Sequence, residues 1–312
     1  MRAMKSSPLK DEPQPMNKFL MITPNATRTA SGFMQLTKPW IVVLLLTTTL
    51  GAMLIAQRGV PALPLLFFTL LGGALTAGGA NAFNSYLDRD IDPLMARTAR
   101  RPIPSGAIAP RAALVFGMGA SIGGVLMLGV CVNWLSAALA SIGLFYYVVI
   151  YTLILKRTTP QNIVIGGAAG ALPPLVGWTA ITNQFDLLAI FLFLIIFQWT
   201  PPHTWALMLM VTKDYERVGI PMMPTARGEP ATRRQIVYYS LGLVAITVLP
   251  FAFQQLGIGY LIAALVLGGW FLFLAFKLMR DESKLTARRL YRFSNYYIAL
   301  LFLAMVLDKN FL

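Results

Sequence analysis

Between residues 39 and 309 the sequence passes through nine apolar runs, at about 39–57, 61–87, 112–131, 134–154, 162–182, 186–211, 236–255, 259–277 and 293–309, separated by short polar breaks. Most approach the ~20 residues a helix needs to cross a bilayer. Lipid offers no partner for backbone N–H and C=O groups, so runs of this kind must satisfy them within helices. The expected fold is all-α, a polytopic membrane protein with nine transmembrane helices. Composition agrees: 57% of residues are hydrophobic, only 12% are charged, and the mean hydropathy is +0.65. Such a chain is not a water-soluble enzyme, a disordered protein or a disulfide scaffold, and its single cysteine, Cys131, forms no internal bridge.

The formal net charge of +14 would in a soluble protein suggest nucleic acid. Its distribution says otherwise. With the N-terminus in the cytoplasm, 24 of the 26 Lys and Arg fall on the inside, and only Arg58 and Lys309 fall outside. Cytoplasmic loops collect basic residues, so this bias predicts an N-in, C-out bundle with an odd number of spans and no nucleic-acid partner. Residues 1–35, polar and broken by Pro8, Pro13, Pro15 and Pro24, are expected to form a disordered cytoplasmic tail ahead of a membrane domain at 36–312. They lack the apolar core of a secretory signal, and Asp11 and Glu12 argue against a transit peptide.

The outside connections are short, whereas the inside loops 88–111 and 212–235 are long and hold six of the twelve acidic residues. Acids contribute little to topology, so their concentration there calls for a chemical reason. In Asn81-Ala-Phe-Asn84-Ser-Tyr-Leu-Asp88-Arg-Asp90-Ile-Asp92, the residues Asn84, Asp88 and Asp92 are four apart and share one face if the helix continues. Like charges at that spacing repel and call for a cation between or beside them. A hard divalent ion such as Mg²⁺, held by carboxylates together with substrate phosphates, fits that need. Arg97, Arg100 and Arg101 follow at once, and a guanidinium suits phosphate oxygens. The reading is a metal–diphosphate site.

Four spans later, on the same face, Lys213-Asp214-Tyr215-Glu216-Arg217 repeats the delivery of acids and bases by a helix end. Asp214 is the candidate ligand and Lys213 a candidate phosphate contact. Lys156 and Arg157 serve topology or phosphate equally well. Gly166, Gly167, Gly170, Pro173, Pro174 and Gly177 predict a thin, closely packed fifth helix. His203, the single histidine, sits after two prolines within an apolar run and is a candidate for contact with an acceptor. No phosphate-binding Gly-Lys loop, Gly-x-Ser-x-Gly element or His/Cys metal spacing is present, which disfavours nucleotide-driven transport and serine hydrolysis. A secondary transporter remains open from the residues alone, although charges at one face rather than the midplane speak against it.

The string Asn84-Ser-Tyr-Leu-Asp88-Arg-Asp90-Ile-Asp92 resembles the first aspartate-rich motif of the UbiA superfamily of intramembrane prenyltransferases. Further strings are similar to its haem-farnesylating branch: Leu36-Thr37-Lys38-Pro39, Met95-x-Arg97-Thr98, Tyr151 through Gly167, Trp199-x-x-Pro-His203-x-Trp205, Lys213-Asp214-Tyr215 through Pro224, and Phe293-Ser294. The resemblance covers about residues 36–310. It implies a nine-helix bundle with a lateral cavity, in a bacterial inner membrane, with the active site facing the cytoplasm. It also implies Mg²⁺-dependent transfer of farnesyl from farnesyl diphosphate to the 2-vinyl group of haem b, with contact to haem A synthase or terminal-oxidase assembly. Within it, Asn84, Asp88, Asp92 and Asp214 are the catalytic set, with Asp88, Asp92 and Asp214 on the metal. Arg97, Arg101, Lys156, Lys213, Tyr215 and His203 are implied to bind substrate. One departure is Val218, where many superfamily members carry a second aspartate four residues after the first. A prenyltransferase for a quinone precursor or another aromatic acceptor is the nearest rival.

Overall fold

The computed structural model describes residues 26–311, and those residues are helices joined by turns. The helices are α1 (Ala26–Leu36), α2 (Pro39–Gln57), α3 (Leu63–Leu87), α4 (Pro110–Cys131), α5 (Trp134–Thr158), α6 (Asn162–Thr182), α7 (Leu187–Met208), α8 (Thr212–Arg217), α9 (Met223–Arg227), α10 (Glu229–Ala252), α11 (Ile258–Asp281) and α12 (Lys284–Phe311). Among the described residues, nine of these are long and apolar enough to cross a membrane: α2 to α7 and α10 to α12. Each coincides with one apolar run of the sequence.

The boundaries differ where charge is involved. Helix α10 begins at Glu229 and α12 at Lys284, seven and nine residues ahead of their apolar runs. Hydropathy marks only the stretch that lies in lipid, while backbone hydrogen bonding carries the helix on into the polar layer. The expected disordered tail lies outside the described residues up to residue 25. From Ala26 to Leu36 the chain is helical instead, with Leu36 buried and the Phe33 ring 5.1 Å from Phe116 of α4.

Small residues bring the helices together, as expected where lipid is as apolar as the side chains. In α3 a methyl group on Gly79 would stand 2.7 Å from the Gly117 carbonyl of α4, and one on Gly124 of α4 2.7 Å from the Gly72 carbonyl of α3. Gly177 of α6 sits against the Thr49 backbone of α2, and the Thr49 hydroxyl donates to the Pro173 carbonyl at 3.2 Å. Helix α6 is thereby the enclosed centre of the bundle, its most apolar window 61% buried against 11% for α5. The glycines of α6 divide between two tasks: Gly177 packs, while Gly166, Gly167 and Gly170 line a cavity.

Helix α5 departs from regular geometry. Residues Tyr146–Leu155 form a π-helix, and the Thr152 hydroxyl donates to the Tyr147 carbonyl five residues back at 2.8 Å. The wider turn resets which residues of the final turn face α3, and π segments of this kind concentrate at functional sites.

Candidate active site

The sequence places Asn84 in the last turn of α3 and Asp88 at its C-cap; the helix ends at Leu87 rather than running on to Asp92. A turn in which the Ile91 and Asp92 amides both donate to the Asp88 carbonyl, at 3.0 and 2.9 Å, leads into a short 3₁₀ turn at Asp92–Leu94. The Thr98 hydroxyl, fully buried, donates to the Asp92 carbonyl at 2.8 Å and ties this turn down. Asn84, Asp88 and Asp92 are all buried, so the expected cluster forms, built by a cap and a turn instead of a continuous helix face.

Each acid carries its own counter-charge. Lys156, delivered by the last turn of α5 directly after the π segment, donates to Asp88 Oδ2 at 2.5 Å. Asn84 Nδ2 donates to the same oxygen at 2.9 Å and lies 3.3 Å from the Thr152 hydroxyl. Arg101 Nη1 reaches both oxygens of Asp92 at 2.9 and 2.8 Å. Arg157 forks onto Asp90 through two 2.7 Å bonds. That guanidinium holds the Asp90 carboxyl down at about 2, and the Asp90 side chain is 57% exposed, so it braces the loop from outside the pocket. Topology therefore does not exhaust the role of Lys156 and Arg157.

Lys38, at the N-cap of α2, joins the cluster although the sequence reading gave it no role. Its Nζ donates to Asn84 Oδ1 at 2.5 Å. Burial foremost, then the positive charge of Arg101, lowers its pKa to about 7. Lys38 also stands in the left-handed region, with φ 52°, a conformation that costs a non-glycine residue ~1–3 kcal/mol and persists where its surroundings over-determine it. A lysine just before a proline at a helix start was the available signal; only the fold shows that it points at Asn84.

The second cluster contributes differently than expected. Tyr215 of α8 is buried, and Arg97 Nη2 donates to its hydroxyl at 3.2 Å, which joins the two long loops. Burial raises the Tyr215 pKa, so this phenol stays neutral. Lys213 is exposed and Asp214 half-buried beside it. His203 lies against α12: its Nδ1 is 2.6 Å from the Ser294 hydroxyl and its ring stacks 4.1 Å from Trp199. The same helix presents Thr200 and Thr204, not His203, to the cavity.

That cavity, about 350 Å³, opens beneath the charged cluster between α2, α3, α5, α6 and α7. Leu45, Ala77, Leu139, Leu172 and Val176 make its wall apolar, and Asn81, Tyr147 and Tyr151 close the end nearest Asn84 and Asp88. Tyr147 and Tyr151 stack 5.6 Å apart on the π segment, and the Tyr147 hydroxyl is 3.4 Å from Asn81 Oδ1. The volume lies in the range of small-molecule sites, ~300–1,000 Å³. The arrangement can hold an anionic head against cations and carboxylates while an apolar tail lies in the bundle.

Among the described residues no three His, Cys, Asp or Glu side chains converge on one metal position. The donor set nevertheless suits a hard ion, being all oxygen, and Asp88 Oδ1 is buried without a hydrogen-bond partner. Lys156 and Arg101 occupy the positive positions beside the two carboxylates.

The chain is 50% identical over 277 residues to a protoheme IX farnesyltransferase of Roseiflexus castenholzii, a match covering 89% of this chain and 52% of that protein, so it spans about half the relative's length. It is 49% identical over 290 residues to the protoheme IX farnesyltransferase of Gloeobacter violaceus, covering 93% and 95% of the two chains. Among solved structures, one described as giving insights into digeranylgeranylglyceryl phosphate synthase in membranes shares the fold with a TM-score of 0.75 at 18% identity, over 91% of this chain and 99% of that one. A UbiA homologue from Archaeoglobus fulgidus, solved with DMAPP and Mg²⁺, does so at 0.64 and 15%, over 88% and 99%. The sequence profile of the UbiA prenyltransferase family matches residues 44–304. With that match over most of its length, and with the fold the family's solved members share, this chain belongs to the UbiA prenyltransferase family.

Proposed function

We propose that this chain transfers farnesyl from farnesyl diphosphate to the 2-vinyl group of haem b, with addition of water, to give haem O. The observation that carries this reading is the 49% identity to the Gloeobacter relative across nearly the whole of both chains. The geometry supports the donor half independently: a buried acid–base cluster stands over an apolar cavity.

In this mechanism Asn84, Asp88 and Asp92 hold Mg²⁺ with the diphosphate, with Asp214 a further acid on the facing loop. Bound there, the ion neutralises charge that develops on the leaving diphosphate. Arg97, Arg101, Lys156 and Lys38 are cations aimed at the same place, with Lys213 at the rim. They stabilise the diphosphate as its C–O bond to farnesyl C1 breaks, and their fixed positions spare reorganisation at that moment. The apolar wall excludes water from the allylic cation while the haem vinyl carbon attacks it. Water then captures the cation on the former vinyl group and releases a proton, leaving the hydroxyethylfarnesyl side chain. Tyr215 orients Arg97, and His203 fixes α7 against α12. The basic-residue distribution supports a cytoplasmic site in a bacterial inner membrane. Haem A synthase or terminal-oxidase assembly proteins are the expected receivers of the product.

The test is incubation of the purified protein with haem b, farnesyl diphosphate and Mg²⁺, followed by mass spectrometry. Hydroxyethylfarnesyl haem that disappears on chelation is the expected product. Prenylation of 4-hydroxybenzoate with none of haem b would keep the donor site and overturn the acceptor.

A further inference from the structure

The two basic residues that stand apart from the other 24 are brought to one place. Arg58, just past the C-terminal end of α2, and Lys309, near the C-terminal end of α12, are 251 positions apart in the chain. Both line a recess of about 580 Å³ at the end of the bundle opposite Asp88. The rest of the recess comes from the turn between α10 and α11 and includes Phe251, Gln254, Gln255 and Leu256. Position on the bundle explains neither cation, since on this face positive charge is otherwise avoided.

The charges there are unevenly satisfied. Asp308, buried, accepts from the Gly257 and Tyr260 amides at 2.6 and 3.0 Å and caps α11, so its carboxylate is spent on backbone donors. Lys309 donates to a single carbonyl, that of Gln255, at 3.0 Å. The guanidinium of Arg58 makes no hydrogen bond or ion pair among the described residues. Arg58 and Lys309 act on each other as like charges across the recess. Two cations with spare donors, one of them a fork suited to phosphate oxygens, thus face each other beside an apolar wall.

We propose that this recess binds a phosphate group, that of an anionic phospholipid in the leaflet on this side of the bundle. Phe251 and Leu256 supply the apolar surface that a lipid's glycerol and acyl start would cover and a free phosphate ion would not. The proposal is independent of the prenyl-transfer reading, because no residue in it belongs to that site.

The experiment is native mass spectrometry of the full chain in detergent, titrated with phosphatidylglycerol, phosphatidylcholine and inorganic phosphate. Wild type is compared with the double variant Arg58→Gln/Lys309→Gln and with the charge-preserving Arg58→Lys/Lys309→Arg. Wild type should retain phosphatidylglycerol at low molar excess. Each charge removed should weaken that retention about tenfold or more, as expected for a charge-assisted hydrogen bond. The charge-preserving variant should retain most of it. If inorganic phosphate displaces phosphatidylglycerol from wild type but not from residual sites in the double variant, the phosphate group itself is the ligand and the free ion is a second source. Equal retention by wild type and the double variant, or equal retention of phosphatidylglycerol and phosphatidylcholine by wild type, overturns the proposal.

Discussion

Lys156 and Asp88 form a pair whose two halves can be removed separately. The ammonium is 2.5 Å from Asp88 Oδ2, and the side chains are 10% and 1% exposed. Halving a buried pair leaves one charge without compensation, which costs ~3–5 kcal/mol, whereas replacing both partners with neutral groups of similar volume is close to neutral. For Lys156→Met the low end of that range applies, because Asn84 Nδ2 still donates to Asp88 at 2.9 Å and Arg157 stands 3.9 Å from the other oxygen. A loss of ~3 kcal/mol corresponds to a fall of roughly 6 °C or more in the unfolding midpoint. The double variant Lys156→Met/Asp88→Asn should recover most of that fall. Turnover should behave in the opposite way: Lys156→Met loses about 10²- to 10³-fold, the usual cost of one preorganised donor to developing negative charge, and the double variant does not regain it. Thermal unfolding in detergent and single-turnover farnesyl transfer read the two effects apart. An unchanged midpoint in Lys156→Met, or a double variant no more stable than the single, would refute the pairing argument.

Three other outcomes are expected. Gly177→Ala, which drives a methyl group to 2.2 Å from the Thr49 carbonyl, should separate α2 from α6 and lower stability by ~1–3 kcal/mol, visible as a lower unfolding midpoint. Gly166→Ala places its methyl 2.4 Å from the Tyr151 ring and should push that ring out of the cavity end, lowering kcat while binding of Mg²⁺-diphosphate, followed by calorimetry, is little changed. Lys38, lowered from 10.5 to about 7, is charged in both folded and unfolded chains below pH 7; above it the unfolded chain holds a proton the folded one has released. Stability should therefore rise from pH 7 towards pH 10. Lys38→Met should flatten that rise in a pH series of unfolding midpoints.

The spans were legible because the bilayer imposes a length and a polarity on each, and nine apolar runs of suitable size leave few alternatives. Asn84, Asp88 and Asp92 were legible as a cluster because residues four apart stay neighbours through one helical turn and a following tight turn alike. What the spacing concealed was the counter-charge. Repulsion between Asp88 and Asp92 follows from the local sequence, yet Lys156 and Arg101 answer it from 68 and 9 residues away. Lys38 was hidden for the same reason, since its partner Asn84 is 46 residues distant. His203 illustrates the opposite error, because an ionisable group in an apolar run marks a polar contact without saying whether a ligand or Ser294 makes it. Helix α1 escaped because a single amphipathic stretch among polar residues lacks the length that identifies a span.

The widened stretch Tyr146–Leu155 makes the position of Lys156 a matter of residue count. An ordinary helix advances about 100° per residue, so deleting one residue between 146 and 155 and letting the stretch relax would swing the following turn by about that angle. Lys156 and Arg157 would then leave Asp88 and Asp90 together, although neither basic residue had been altered. A chain of this family with one residue fewer in this helix would need its basic pair one place later in the sequence to reach the same acids. Length, as much as side-chain identity, is what this helix has to keep.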